Sequence, residues 1–187
     1  MKKGRIILAS ERIDLTIKRL CFSILENHSE VDDICIIGIQ PRGIPLANRI
    51  VEGLKKVNHF KELYYGKLDI TFYRDDFRKR DVPIKASTTD IDFIIEKKQV
   101  ILVDDVLYTG RTVQAALTAL QDFGRPNKVE LLSLIDRRFD RHLPIMSDYT
   151  GLTVDALNEA YVKVNWKEID GKDNVVLFAN KEEASSK

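Results

Sequence analysis

Long apolar runs are missing from this chain. None approaches the roughly 20 consecutive apolar residues of a membrane-spanning helix, and Met1-Lys2-Lys3-Gly4-Arg5 leads into an apolar stretch too short for a secretory signal. Cysteine is scarce: Cys21 and Cys35 lie in apolar segments without metal-ligand spacing. That argues against a disulfide framework and predicts buried free thiols in a reducing, cytoplasmic setting. Neither sign of charge dominates. With 30 Lys and Arg against 29 Asp and Glu, nothing global marks a nucleic-acid binder, so no DNA partner is implied and any RNA site must be a local patch. Internal repeats and Pro/Ser-rich linkers are also absent. These absences predict one soluble domain over 1–180, large enough for its own core, and a flexible tail at 181–187.

What the chain does have is one dense stretch. Val100-Ile101-Leu102-Val103 reads as a strand buried on both faces, the kind found inside a parallel sheet. Asp104 and Asp105 follow at once, at the strand's carboxyl end, where open α/β sheets bind ligands. After Val106-Leu107-Tyr108 comes Thr109-Gly110-Arg111-Thr112, which combines two hydroxyls, a glycine for a tight turn, and a cation. Val113, Ala116, Leu117 and Leu120 then recur at helical spacing. A loop of this kind feeding a helix leaves first-turn N–H groups for an anion. An Asp-Asp pair alone is more often a solvated strand end. Acids and a phosphate cradle within one turn instead suit a sugar phosphate.

The remaining chain reads in the same terms. Arg5–Leu8 is a short strand; Ser10 is a candidate N-cap, and Ile13, Ile17, Leu20 and Ile24 stripe a helix ending near Asn27. Ile34–Ile39 is a second buried strand. It leads through Gln40-Pro41-Arg42-Gly43 into a helix with Leu46, Ile50 and Leu54 on one face. Two anion-ready loops in one sheet suit a ligand with phosphates at both ends. Lys67–Arg74 alternates apolar and polar, which predicts a strand with one covered face, and Asp75–Lys85 is charged with little to bury. Phe123-Gly124-Arg125-Pro126 ends the helix after the central motif, Val129–Ile135 is another apolar strand, and Tyr161–Trp166 and Val175–Phe178 supply the last strands.

The run Val100–Thr112 as spelled resembles the 5-phosphoribosyl-1-diphosphate (PRPP) motif of the type I phosphoribosyltransferases. Val-Leu-Tyr-Thr-Gly-Arg-Thr after the acids is similar to the branch that pairs uracil phosphoribosyltransferase activity with regulation of pyrimidine-operon attenuation. The resemblance covers nearly the whole chain. It implies an α/β fold: a parallel sheet flanked by helices, with a small hood from the 136–160 region and the termini. It implies transfer of phosphoribose from PRPP to uracil, giving UMP and diphosphate. PRPP would be held by Gln40, Pro41, Arg42 and Gly43, in a loop that often carries unusual peptide geometry, and by Asp104, Asp105, Val106, Leu107, Tyr108, Thr109, Gly110, Arg111 and Thr112. Asp104, Asp105 and Arg42 would carry the catalysis.

Further implications concern the rim. Tyr73, Arg74, Asp75 and Asp76 would open a flexible loop that closes over the reaction centre and excludes water. Asp136, Arg137, Leu143, Pro144 and Ile145 would frame the base, largely through backbone groups; His142 lies near them without an assigned role. Mg²⁺ would arrive with PRPP, with no dedicated protein ligands. Partners would be PRPP, uracil, UMP or UTP and pyrimidine-operon leader mRNA, in a homodimer or higher oligomer. At the positions where regulatory members grip RNA, Phe22, Met146 and Leu152 depart from the polar or basic pattern, while Lys18, Arg19, Arg138 and Arg141 could form a patch. The alternative is a purine or other-base phosphoribosyltransferase without an RNA role.

Overall fold

The computed structural model of the chain describes residues 4–28, 33–57, 60, 62–75, 87–156 and 159–185. The elements in order are β1 (Arg5–Ala9), α1 (Ser10–Asn27), β2 (Asp33–Ile39), α2 (Gly43–Val57), β3 (Glu62–Leu68), β4 (Gln99–Leu107), α3 (Arg111–Leu120), β5 (Lys128–Arg137), β6 (Tyr149–Val154), β7 (Tyr161–Asn165), α4 (Lys167–Asp170), β8 (Asn174–Phe178) and α5 (Lys181–Ser185). Five strands form one parallel sheet in the order β3-β2-β4-β5-β6, and three form an antiparallel sheet in the order β1-β8-β7. Among the described residues no helix is long and apolar enough to cross a membrane.

The continuous apolar runs are explained by two cores, one on each face of the large sheet. Ile34, Ile36, Ile101, Val103, Leu132 and Leu134 face α1, α2 and the small sheet, where Ile13, Leu20, Leu46, Ile50 and Trp166 are buried. Their sequence neighbours Cys35, Ile37, Val100, Leu102 and Leu131 face the other way, onto Val113, Ala116 and Leu120 of α3. Each such fully buried aliphatic side chain contributes about 1.5–3 kcal/mol relative to exposure. Both cysteines are free and buried, and desolvation pushes their thiols up, to about 11 for Cys21 and about 12 for Cys35. At the edge opposite the site, burial opposes the charge on Glu130. Lys128 Nζ at 2.6 Å and His28 Nε2 at 2.7 Å nevertheless hold its carboxyl below the ordinary range.

Several local expectations give way to tertiary demands. The strand expected at Lys67–Arg74 instead ends at Leu68, having begun at Glu62 in register with β2. Asp69 breaks it: its carboxylate accepts the Thr71 N–H at 3.0 Å, the Thr71 hydroxyl at 2.6 Å and the Ser87 N–H at 2.8 Å, which turns the chain. The α1 N-cap is Ala9, with no side-chain cap, so Ser10 is the first helical residue. Leu117 points outward, at 39% exposure, while Ala115 and Ala119 join the α3 core face. Tyr149–Val154, read as hood, pairs with β5 as the edge strand of the large sheet. Lys181–Ser185, read as tail, forms a short helix whose Glu183 N–H is accepted by Asn180 Oδ1 at 2.9 Å.

Gly43 is where this packing meets the site. A Cβ there would lie 2.2 Å from the Val103 carbonyl oxygen, so only glycine lets the start of α2 press against the β4 backbone. Gly43→Ala is therefore expected to destabilise the fold by about 2 kcal/mol, read as a lowered urea midpoint at unchanged slope.

Candidate functional site

β2 and β4 are neighbours, yet the chain leaves them in opposite directions: α2 crosses one face of the sheet to reach β3, and α3 the other to reach β5. Such a divergence opens a crevice at the carboxyl ends of the two strands, the usual ligand position in open α/β sheets. The loop after β2 supplies Gln40–Gly43 and the end of β4 supplies Asp104 to Thr112, so both sequence-identified loops meet there.

A polar cavity of about 400 Å³ occupies the crevice, lined by Asp104, Val106, Leu107, the loop Tyr108–Thr112, Val113, Arg74 and Asp75. Gly110 takes φ 91°, the left-handed conformation that glycine tolerates, and turns the loop into α3. The Arg111 N–H leans on Thr109 Oγ1 at 3.4 Å. Asp104 is 7% exposed, and one of its oxygens accepts the Asp105 N–H at 3.0 Å. Burial and then the adjacent Asp105 charge hold the Asp104 carboxyl well above the ordinary carboxylate range. Asp105 is pushed up to about 6 by burial, against the opposing pull of the Arg42 guanidinium. Here Arg42 Nε stands 3.6 Å from Asp105 Oδ2.

Arg42 does not line the cavity beside the Thr109–Thr112 loop. Its guanidinium turns toward the small sheet, 3.1 Å from Asp170 Oδ2, and donates to the Val164 carbonyl. Gln40 braces the loop by donating its backbone N–H to Leu68 O at 2.9 Å and its side-chain amide to Thr88 O at 2.7 Å. The Gln40–Pro41 peptide is cis.

Of the expected closing loop, Arg74 and Asp75 line the cavity and Asp75 pairs with Arg111, whereas Tyr73 donates its hydroxyl to Asp122, past the far end of α3. Asp76 and the rest of the charged stretch through residue 86 lie outside the described residues.

The 136–145 segment wraps the phosphate-type loop. Thr109 O accepts the N–H groups of His142 at 3.0 Å and Leu143 at 3.3 Å, and a Cβ at Gly110 would touch Ile145 and Leu143. Pro144 is exposed between them. Arg137 is 4% exposed and lies over the Tyr108 ring, 3.7 Å from its centroid. Asp136 accepts from Arg141, which also donates to the Tyr108 carbonyl. Arg141 is thus a site residue that sequence reading placed in a surface patch, and no local pattern distinguishes the two uses. Asp170, which accepts from Arg42, carries no local signal, because a lone acid far along the chain belongs to no motif.

The surface patch thins accordingly. Arg19 donates to the carbonyls of Thr150 and Gly151 at 3.0 and 2.6 Å, and Arg138 stands 3.6 Å from Asp155. Phe22 and Met146 are 61% and 84% exposed.

Comparison with known proteins agrees with this geometry. The family model described as phosphoribosyl transferase domain matches residues 5–169. The chain is 43% identical over 177 residues to the bifunctional protein PyrR of Desulfosudis oleivorans, covering 95% of this chain and 97% of that one. It is 41% identical over 174 residues to the protein of the same name from Elusimicrobium minutum, with 93% and 96% covered. Solved structures show the same fold: a hypoxanthine phosphoribosyltransferase from Staphylococcus aureus at TM-score 0.69 and 19% identity, with 92% of this chain and 90% of that chain covered. The Trypanosoma cruzi hypoxanthine phosphoribosyltransferase superposes at TM-score 0.69 and 17% identity, with 92% and 95% covered.

The buried pair makes stability depend on pH. A carboxylate with a higher pKa folded than unfolded costs stability above the folded value and nothing below the unfolded one, so this cost fades as pH falls. Asp104→Asn keeps the acceptor for the Asp105 N–H. At pH 8 it is expected to stabilise the protein by about 1 kcal/mol, a gain that vanishes toward pH 4 in thermal melts.

Proposed function

The chain belongs to the phosphoribosyltransferase family, and within it to the group of bifunctional PyrR proteins; on that premise we propose that it converts uracil and PRPP to UMP and diphosphate, and that it regulates pyrimidine-gene attenuation by binding leader RNA. The observation that carries the enzymatic reading is the desolvated Asp104–Asp105 pair at the end of β4, with Asp104 lining one polar cavity together with the Thr109–Thr112 loop. The two buried, free thiols suit a reducing cytoplasm.

In this reading uracil N1 attacks the anomeric carbon of PRPP and gives up its proton to the departing diphosphate or to water, while the C–O bond to diphosphate breaks and diphosphate leaves with the bonding pair. Positive charge grows on the ribose as that bond lengthens, as in glycosyl transfer generally. Asp104 and Asp105 accept hydrogen bonds from the ribose hydroxyls and keep negative charge beside the ring. The Thr109 and Thr112 hydroxyls and the loop N–H groups hold the 5-phosphate, and Arg42 meets the diphosphate. The segment around Asp136, Arg137 and Leu143–Ile145 frames the base against the same loop. No side chain acts as a covalent nucleophile, so catalysis is positioning plus electrostatics.

The residues suit a cation that arrives with substrate. Asp104 lines the cavity and Asp105 lies next to it, so carboxylate oxygens stand where a cation carried by PRPP would sit. Mg²⁺ bound by PRPP oxygens would supply charge neutralisation for the leaving diphosphate.

The regulatory half rests on the relatives' bifunctional character and on what the surface still offers. Lys18 is exposed, and Arg138, in a long exposed ion pair with Asp155, can share its charge with a phosphate. UMP or UTP in the nucleotide site would be the signal.

UMP should form from uracil and PRPP with Mg²⁺ and stop when the metal is chelated. Turnover with hypoxanthine or guanine in competition, but not with uracil, would reassign the base. The acid limb of kcat/KM should fall near pH 6, where Asp105 protonates, by about tenfold per pH unit below it. Replacing both Asp104 and Asp105 with Asn should abolish turnover while near- and far-UV circular dichroism stay native. Pyrimidine-leader RNA should bind in a salt-sensitive, UMP-strengthened manner; no binding at low salt would remove the regulatory half.

A further inference from the structure

The Arg42 guanidinium is shared between two carboxylates from opposite sides of the crevice. Its Nε stands 3.6 Å from Asp105 Oδ2 on β4, and its Nη2 stands 3.1 Å from Asp170 Oδ2 at the end of α4. The same Nη2 donates to the Val164 carbonyl on β7. Asp170 is itself held in place, because its Oδ2 also accepts the backbone N–H of Trp166 at 2.9 Å, and Trp166 is fully buried. All three charged side chains retain partial exposure, at 31% for Arg42, 13% for Asp105 and 21% for Asp170. The arginine can therefore be reached by an incoming ligand without unpacking the core. The nearby charges are Asp104 beside Asp105, Arg74 facing Asp104 and Lys163 facing Asp170.

We propose that Asp170 is a positioning residue for diphosphate: it draws Arg42 away from Asp105 and stores it beside the crevice until a diphosphate group takes over the guanidinium. The proposal rests on the phosphoribosyltransferase reading and adds a residue that the PRPP motif does not contain. The physical logic is competition. A guanidinium is a fork of donors, and here one nitrogen faces each acid. Holding it near Asp170 leaves Asp105 less compensated. A bound diphosphate, with more charge and more acceptor oxygens than either carboxylate, outbids both. The second sheet, which contributes nothing to the PRPP motif, thereby reaches the reaction centre through β7 and α4.

The test compares pH–rate profiles of UMP formation, and calorimetric binding of inorganic diphosphate, for wild-type protein, Asp170→Asn, Asp170→Glu and Asp173→Asn. The Asn variant keeps an oxygen for the Trp166 N–H and loses only the charge. With Arg42 released toward Asp105, the acid limb is expected to move down by about half a pH unit, and diphosphate to bind roughly three- to tenfold tighter. Asp170→Glu should restore wild-type behaviour. Asp173→Asn removes an equal charge nearby, but one that pairs with Arg49 at 2.7 Å, and should leave both readouts unchanged. An unchanged limb and unchanged diphosphate affinity in Asp170→Asn, or an equal shift in Asp173→Asn, would overturn the proposal. If Asp170→Asn folds poorly, Asp170→Ser is read in the same way. Wild-type protein that makes no UMP would fail the functional reading alone, since diphosphate binding to the two proteins still decides the role of Asp170.

Discussion

Two carboxylates taken out of water at the end of one strand constrain everything around them. Desolvating a charge costs several kcal/mol even after relaxation, and Asp104 and Asp105 also repel one another. The compensation within reach comes from the loop after β2, whose Arg42 stands beside Asp105. That arginine can be there only because Gly43 lets α2 begin against the β4 backbone. It is steered in turn by Asp170 and Val164. Loop, strand and second sheet therefore form one electrostatic unit, destabilising to the empty protein and suited to a ligand that brings hydroxyls, phosphates and a cation.

The same crevice is closed from its other side by packing. The Thr109 carbonyl receives two N–H groups from the 142–143 turn, Arg141 holds the Tyr108 carbonyl, and Arg137 stacks on the Tyr108 ring. A base framed by the 136–145 segment and a phosphate held by the 109–112 loop would thus share a wall. The 136–145 segment runs on directly from β5. On the open side, Asp75 pairs with Arg111.

Against the polar centre stands an altered outer surface. Two of the four arginines and lysines that could have made an RNA patch are engaged internally: Arg19 with backbone carbonyls of β6 and Arg141 with the site. Phe22 and Met146 add exposed apolar side chains to that surface. Engaged cations and exposed apolar groups both weaken a phosphate-reading surface, so the catalytic half of the function is written more deeply into this chain than the regulatory half.

Residues adjacent in sequence settled much of the outcome. Unbroken apolar runs located β2, β4 and β5, the helical stripe located α1, and the strand–Asp–Asp–loop–helix order located the cavity lined by Asp104 and the Thr109–Thr112 loop, because backbone pairing and helical repeat act over a few residues. Local pattern failed where a side chain overrode it. Asp69 ended β3 before the alternation through Arg74 did, and pairing with β5 took Tyr149–Val154 into the large sheet. Only the tertiary structure decided which charges face one another. Arg42 and Asp170 lie 128 residues apart and share a hydrogen bond, and no spacing rule links them. Partner choice between charged side chains is set by which loops the sheet order brings together, and that order is a property of the folded chain.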